Sequence, residues 1–119
     1  MSVDLILLGT PLSTNHIYKS HCRFGHPSVY MTADGKALKE SYGWQARSQY
    51  KGKILEKPLY LNIRLYRAKK SGDIDNFNKL LFDSLTGIIW KDDKQIEEML
   101  IIKDTDSKKP RIEITIEEI

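Results

Sequence analysis

The chain has 119 residues, of which 40% are hydrophobic and 29% charged, and it contains one cysteine. This length predicts one domain over residues 1–119, and the composition excludes a disordered tail. The apolar runs are far shorter than the ~20 residues that cross a bilayer, and Asp4 interrupts the first of them. Because a lone cysteine forms no intrachain disulfide, we expect a soluble protein of the reducing cytoplasm.

Charge is distributed unevenly along the chain. Residues 1–72 contain 12 Lys and Arg against 4 Asp and Glu, whereas residues 73–119 contain 7 against 12, so the halves carry +8 and −5 of the net +3. A basic half is typical of a protein that binds a polyanion, and an acidic half of one that holds a cation. Two well-solvated surfaces would give the same balance, so the motifs have to decide.

Hydrophobic periodicity predicts the elements in chain order. The first half is expected to hold a strand, an irregular loop, a short strand, and a helix capped by Thr32 and stopped by Gly52: Val3–Leu8, 10–28, Val29–Met31 and about Ala33–Tyr50. The second half is expected to hold a strand, a helix and two strands: Pro58–Arg67, about Asn76–Leu85, Ile96–Lys103 and Ile112–Ile116. Trp44 and Trp90 are expected in the core or an interface rather than as platforms on which DNA bases stack. The order predicts an α+β fold with a mixed sheet of about four to five strands and two main helices.

Asp73 and Asp75 are the first candidates for chemistry. Residues two apart in an extended segment point to the same side, so both carboxylates could face one cation. Capping of the following helix is the alternative, but it explains one aspartate and not both. Lys79 lies one helical turn after Asp75, where its ammonium could neutralise a bound phosphate.

Asp92 and Asp93 offer a further carboxylate. Adjacent side chains of an extended segment point to opposite sides, so one of the two is expected to join Asp73 and Asp75. A turn with two solvated acids is the alternative. Three carboxylates suit Mg²⁺, and beside a basic surface they are typical of an enzyme that hydrolyses phosphodiester bonds.

Three segments taken together, Gly72–Lys79, Phe82–Leu85 and Trp90–Ile96, resemble the core signature of RusA-type Holliday-junction resolvases. The distinctive feature is Asp-x-Asp-Asn-x-x-Lys followed by the later Asp-Asp. Two further segments, Pro11–Tyr18 and Thr32–Gly35, are similar to the family's proline-rich loop and to the start of its first helix. The resemblance therefore covers nearly the whole chain.

The resemblance implies that Asp73, Asp75 and Asp93 bind the metal and that Lys79 is the catalytic lysine. It implies Mg²⁺ as the cofactor, with Mn²⁺ as a substitute. It also implies a homodimer that nicks a four-way DNA junction symmetrically in recombination and repair, and an origin in a prophage would fit. A non-catalytic protein that binds branched DNA is the alternative, and it would leave the aspartates without a role.

The residues expected to contact DNA belong to the early loop and to the basic run before Asp73. They are Asn15, Tyr18, Lys19, Arg23, Arg67, Lys69 and Lys70. The family often has arginines in that run, so the lysines here predict retained attraction to phosphate with a different cleavage-site preference. The apolar last strand is the expected dimer surface.

Overall fold

The computed structural model describes residues 2–11, 18–23, 26–68 and 78–119. Within these ranges the elements are β1 (Ser2–Leu8), β2 (Tyr18–Arg23), β3 (His26–Met31), α1 (Ala33–Gln49), β4 (Leu59–Arg67), α2 (Asn78–Leu85), a 3₁₀ turn (Asp93–Gln95), β5 (Ile96–Thr105) and β6 (Arg111–Glu118). No helix in this part of the chain is long and apolar enough to cross a membrane.

Four of the strands form one mixed sheet in the order β1-β6-β4-β5. β4 and β5 run parallel, whereas β6 is antiparallel to both β1 and β4. The predicted α+β class with a mixed sheet and two main helices is therefore confirmed. Parallel pairing of β4 and β5 is possible because α2 forms the crossover between them.

β2 and β3 pair with each other as a separate antiparallel hairpin, with Tyr18 opposite Met31 and Arg23 opposite His26. The prediction of an irregular loop over residues 10–28 is wrong for this segment. Its two strands are short and rich in polar residues, so no alternation of apolar and polar side chains marks them. Backbone hydrogen bonds alone reveal the pairing.

The core lies on one face of the sheet. Alternate side chains of β1, β4 and β6 are buried there: Val3, Leu5, Leu7, Leu59, Leu61, Ile63, Leu65, Ile112, Ile114 and Ile116. The helices complete the core with Tyr42 and Ala46 of α1 and Leu80, Leu81 and Leu85 of α2. The period-2 pattern of β4 thus predicts its buried face correctly. β6 is a central strand whose three isoleucines are at most 2% exposed, so its prediction as the dimer surface is wrong.

α1 begins as predicted and ends earlier than predicted. Oγ1 of Thr32 accepts a hydrogen bond from the N–H of Gly35 at 3.2 Å, which confirms Thr32 as the N-cap. The helix ends at Gln49 because Tyr50 is extended, with φ −121° and ψ 114°. The hydroxyl of Tyr50 donates to the carbonyl oxygen of Lys53. This local contact accompanies the end of the helix, and Gly52 leaves room for it, because a Cβ at this position would lie 2.7 Å from the hydroxyl oxygen of Tyr50.

Two glutamines of α1 cover the outer edge of β1. The side-chain amide of Gln49 accepts from the N–H of Ile6 at 2.9 Å and donates to its carbonyl at 2.7 Å. Gln45 accepts from the N–H of Leu8 at 2.6 Å and donates to its carbonyl at 2.9 Å. Two glutamines four residues apart on α1 thus reach two residues that are two apart on β1. Each side-chain amide makes the pair of hydrogen bonds that a residue of a neighbouring strand would make.

Candidate active site

The loop after α2 carries the adjacent candidates Asp92 and Asp93, and Trp90 anchors this loop. Gly87 turns the chain with φ 86°, a conformation that glycine adopts at low cost, and its N–H donates to the carbonyl of Trp90 at 2.7 Å. Trp90 is fully buried and meets Phe82 edge to face, with ring centroids 6.1 Å apart. The predicted core position of Trp90 is confirmed.

Trp90 and Thr86 orient the carboxylate of Asp93. The indole N–H of Trp90 donates to Oδ1 of Asp93 at 2.9 Å and to Oγ1 of Thr86 at 3.0 Å. Oγ1 of Thr86 also contacts Oδ1 of Asp93. An indole nitrogen can only donate, so it holds Oδ1 as the inward acceptor. No described residue hydrogen-bonds to Oδ2, and this oxygen is available to a cation.

Asp92 has a different task. It is the N-cap of the 3₁₀ turn, and its Oδ1 accepts from the N–H of Lys94 at 3.0 Å. Gln95 completes a capping box by accepting from the N–H of Asp92 at 2.8 Å. The same glutamine donates to the carbonyls of Leu55 and Lys57. The two adjacent aspartates are thus separated into a capping carboxylate and an oriented one.

α2 relates Lys79 to the oriented carboxylate. Lys79, Asp83 and Thr86 follow one another at spacings of four and three, which places them on one side of the helix. At 1.5 Å per residue, Lys79 lies about 10 Å along the axis from Thr86, which contacts Asp93. Lys79 is exposed. The helix therefore presents the predicted catalytic lysine and Asp93 on the same side of the molecule.

The remaining predicted site residues are placed only in part. Asp73, Asp75, Asn15, Lys69 and Lys70 lie outside the described residues. Tyr18, Lys19 and Arg23 lie on β2, in the hairpin with β3. Within the described ranges, no group of three His, Cys, Asp or Glu side chains is placed to hold a metal ion. Asp93 fits such a site because its outward carboxylate oxygen is a hard ligand.

Arg67 is almost entirely buried, with 5% of its surface exposed. Its Nε donates to the carbonyl of Asp104 at 3.2 Å, and its own carbonyl accepts from the N–H of Asp106 at 2.9 Å. These bonds join the end of β4 to the end of β5. The side chain has a structural contact here, and its role in binding DNA stays a prediction.

A cleft of about 890 Å³ separates the exposed side of α1 from the end of α2 and the loop after it. Its walls include the cations of α1, two carboxylates, apolar groups and the hydroxyl of Thr86: Lys36, Lys39, Arg47, Glu40, Asp83, Met31, Trp44, Ile88 and Thr86. Trp44 is 70% exposed, so of its two predicted places the core is wrong, and a place in an interface stays a prediction. Its helix position lies opposite the buried Tyr42 and Ala46, and this spacing signals exposure.

Thr86 is the site residue that sequence reasoning missed. No motif includes it, and its contact with Asp93 requires the turn at Gly87. The indole N–H of Trp90 was also overlooked, although a buried tryptophan usually finds an acceptor for it. Asp93, three residues away, is the polar side chain that could have indicated this bond.

Comparison with known proteins assigns this chain to the endodeoxyribonucleases, hydrolases that act on phosphodiester bonds within DNA. Residues 9–117 match the sequence model of the family described as Endodeoxyribonuclease RusA, and the chain belongs to this family. The resemblance seen in the motifs is confirmed.

Full-length relatives support the same membership. The Crossover junction endodeoxyribonuclease RusA of Escherichia coli strain K12 is 27% identical over 121 residues, which cover 100% of this chain and 98% of that protein. The protein of the same name from Enterobacteria phage 82 is 28% identical with the same coverage. One of these relatives belongs to a phage, which fits the expectation of a prophage context.

Proposed function

We propose that the chain resolves four-way DNA junctions by paired, symmetric hydrolysis of two phosphodiester bonds, acting in the cytoplasm in recombination and repair. The observation that carries this proposal is the carboxylate of Asp93, oriented by Trp90 and Thr86 on the side of α2 that also bears Lys79. The substrate class is taken from the full-length relatives, which are named crossover junction endodeoxyribonucleases.

The proposed metal is Mg²⁺, with Mn²⁺ as a substitute, held by Asp73, Asp75 and Asp93. When bound, the ion supplies Lewis-acid activation of a water and of the phosphoryl oxygen. Trp90 and Thr86 engage Oδ1 of Asp93, which leaves Oδ2 as the oxygen that would ligate the ion. Lys79 stabilises the negative charge that develops on the phosphate.

The proposed DNA-binding surface joins the early segment to the basic run before the first aspartate. Its residues are Asn15, Tyr18, Lys19, Arg23, Arg67, Lys69 and Lys70. Cations attract the phosphate backbone without regard to sequence. If about six phosphates are neutralised, the logarithm of the binding constant falls with the logarithm of salt at a slope of about −5.

Symmetric cleavage needs two copies of the site, and we propose that β5 pairs with β5 of a second copy. In the described part of the chain, β5 has a neighbouring strand on one side only. Met99 and Leu100 of this strand are 41% and 44% exposed. A long, apolar outer strand is a ready template for pairing with another chain.

Two-fold symmetry limits this pairing to registers in which one residue of β5 lies on the axis. An axis perpendicular to the sheet keeps every side chain on its own face, so the residue at the axis lies opposite its own copy. With Leu100 at the axis, Met99 lies opposite Ile101, and Glu97 lies opposite Lys103 at both ends. Opposed apolar and oppositely charged pairs each stabilise an antiparallel sheet by about 0.2–1 kcal/mol.

The neighbouring symmetric register is less favourable. With Ile101 at the axis, Glu98 would lie opposite Asp104 at both ends, and like charges that face each other destabilise a strand pair. Charge therefore favours the register centred on Leu100.

The test is a gel assay with a synthetic four-way junction and a linear duplex of the same sequence, each incubated with Mg²⁺, Mn²⁺ or EDTA. We expect paired nicks in the junction alone and only with a metal. Asp93→Asn should reduce cleavage by at least about 100-fold, since a ligand matters more than its supporting residues. Asp92→Asn is the matched control and should cleave within a few-fold of the wild type.

A separate variant tests the contact between Thr86 and Asp93. Thr86→Val keeps the shape of the side chain and removes the hydroxyl that contacts Asp93. We expect the Mg²⁺ concentration for half-maximal cleavage to rise by about 10-fold to 100-fold, with junction binding in EDTA unchanged. Tight junction binding without nicks in any metal would instead favour a non-catalytic DNA-binding protein.

A further inference from the structure

The exposed indole of Trp44 is out of place for a side chain that only stabilises the fold. Trp44 is 70% exposed, whereas Trp90 is fully buried. A tryptophan left in water on a helix surface gains none of the burial that makes this side chain valuable in a core. Tryptophan is enriched at interaction surfaces, where one side of the ring is covered by a partner.

The surroundings of Trp44 indicate a ligand that is both flat and anionic. The guanidinium carbon of Arg47 lies 5.8 Å from the centroid of the Trp44 ring. Lys39 and Lys36 line the same cleft, about one and two helical turns before Trp44. Glu40 of α1 and Asp83 of α2 also line it, so the α1 wall keeps a net charge of +2 from three cations and one carboxylate, and the α2 wall contributes a single carboxylate.

The cleft adjoins the candidate active site through Thr86, although neither Asp93 nor Lys79 lines it. Thr86 lines the cleft and contacts Oδ1 of Asp93. A strand whose base rests on Trp44 would therefore pass beside the carboxylate that is proposed to hold the metal. A volume of about 890 Å³ is large enough for a nucleotide with its neighbouring phosphates.

We propose that Trp44 is a stacking platform for an unpaired nucleobase, with the adjoining phosphates held by Lys36, Lys39 and Arg47. Aromatic rings bind successive bases of single strands in this way, with little regard to sequence. The inference rests on the proposed function in that DNA is the substrate, and it adds a site for an unpaired nucleotide beside the cleavage centre. A branch point or a strand end supplies such a nucleotide, and a closed duplex does not.

The test uses the full chain in EDTA, so that no DNA is cleaved. Affinities of wild type, Trp44→Phe and Trp44→Ala for a labelled oligothymidine strand, a four-way junction and a linear duplex are measured by fluorescence anisotropy. We expect Trp44→Ala to weaken binding of the single strand and the junction by about tenfold, and Trp44→Phe by much less, because phenylalanine still stacks. Ile54→Ala, which truncates another exposed apolar side chain, should bind like the wild type.

Intrinsic fluorescence gives a second readout, because the chain has two tryptophans and one is buried. The oligothymidine strand should quench the wild-type emission, and the emission of Trp44→Phe should not respond. Equal affinity of Trp44→Ala and wild type for the single strand would overturn the proposal. A change of oligomeric state on sedimentation, with DNA affinity retained, would also overturn it and make this face a protein interface.

These outcomes separate the inference from the proposed function. Junction cleavage without any effect of Trp44 would reject the platform and keep the resolvase. Quenching by oligothymidine with no junction cleavage would keep the platform and reject the resolvase. A chain that binds none of the three DNA probes would reject both.

Discussion

The two edges of the sheet are treated differently by the rest of the molecule. At the β1 edge, Gln45 and Gln49 of α1 make four hydrogen bonds to the backbone of Ile6 and Leu8. At the β5 edge, no second strand of the described part of the chain lies beside the backbone. Proteins usually block the edges of their sheets, so an edge that stays open points to a use.

Apolar exposure alone does not distinguish the two edges. Ile6 and Leu8 at the β1 edge are 48% and 46% exposed, and Met99 and Leu100 at the β5 edge are 41% and 44% exposed. The difference lies in the backbone, whose N–H and C=O groups are satisfied by glutamine side chains at β1. An interaction surface on a sheet edge is therefore better recognised from its hydrogen bonds than from its hydrophobic side chains.

The largest effect is expected from breaking the open edge. Leu100→Lys puts two ammonium groups face to face at the proposed two-fold axis and removes two leucines whose remaining exposed surface the dimer would cover, at about 1 kcal/mol each in addition to the repulsion. The dimer dissociation constant should rise by about 100-fold or more. Sedimentation equilibrium measures it, and paired nicking of junctions should be lost with the dimer.

Leu8→Lys is the matched control at the covered edge, because Leu8 is about as exposed as Leu100. It should leave the oligomeric state unchanged. Dissociation of this variant, or an unaltered dimer in Leu100→Lys, would show that β5 is not the interface.

The next largest effect is expected from removing the two glutamine side chains that cover the edge of β1. Gln45→Ala combined with Gln49→Ala removes four hydrogen bonds, which water can partly replace because the edge is exposed. We expect the free energy of unfolding in urea to fall by about 1–2 kcal/mol, together with new association detected by light scattering. Ser48→Ala on the same helix is the control. An unchanged association behaviour would mean that the glutamines do not protect β1.

A smaller effect concerns the charges that set the register of β5. Glu97→Lys or Lys103→Glu alone should weaken the dimer by a few-fold to about 20-fold, since each puts two like-charged pairs across the interface. The double variant reverses both charges and should restore the wild-type affinity. Failure of this rescue, with both single variants weakened, would argue for a different register.

The smallest expected effect is on the stability of the fold, and it concerns the segment that connects β5 to β6. The pKa of Asp106 is lowered mainly by a hydrogen bond from Arg111, and further by the backbone N–H of Lys109. A carboxyl whose pKa is lower in the folded state stabilises that state above its unfolded pKa of about 3.9, and this stabilisation is lost as the pH falls towards the folded pKa.

Asp106→Asn should therefore reduce the stability at pH 7 while making it less sensitive to acid between about pH 5 and 3. Urea midpoints at pH 7, 5 and 3 measure both effects. The oligomeric state at pH 7 should not change, because Asp106 lies beyond the paired part of β5. Equal acid sensitivity of variant and wild type would show that this carboxyl is not linked to folding.

The elements could be predicted where side chains alternate or repeat regularly. β1, β4, β5, β6 and α1 follow such patterns, and their observed bounds lie close to the predicted ones. The β2–β3 hairpin could not be predicted, because its polar strands give no periodic signal. α1 ends at Gln49, one residue before the predicted end, because Tyr50 is already extended.

The candidate site was predictable in composition and not in geometry. Residue spacing selected Lys79 and the Asp92-Asp93 pair, but it left the two aspartates equivalent. The structure separates them because Trp90 donates to Asp93 and the 3₁₀ turn engages Asp92. The hydrogen-bond partners of the two aspartates depend on which side chain is buried behind the loop, and a local sequence pattern does not indicate this.

The sequence by itself determined the α+β class, the chain positions of most elements and membership of the endodeoxyribonuclease family. These follow from local periodicity and from short motifs, which are properties of neighbouring residues. Only the tertiary structure decided that β6 is central, that β5 is an open edge and that Trp44 faces a cleft. Strand order and exposure depend on contacts between residues distant in the chain, and those contacts form only when the whole sheet and its helices pack together.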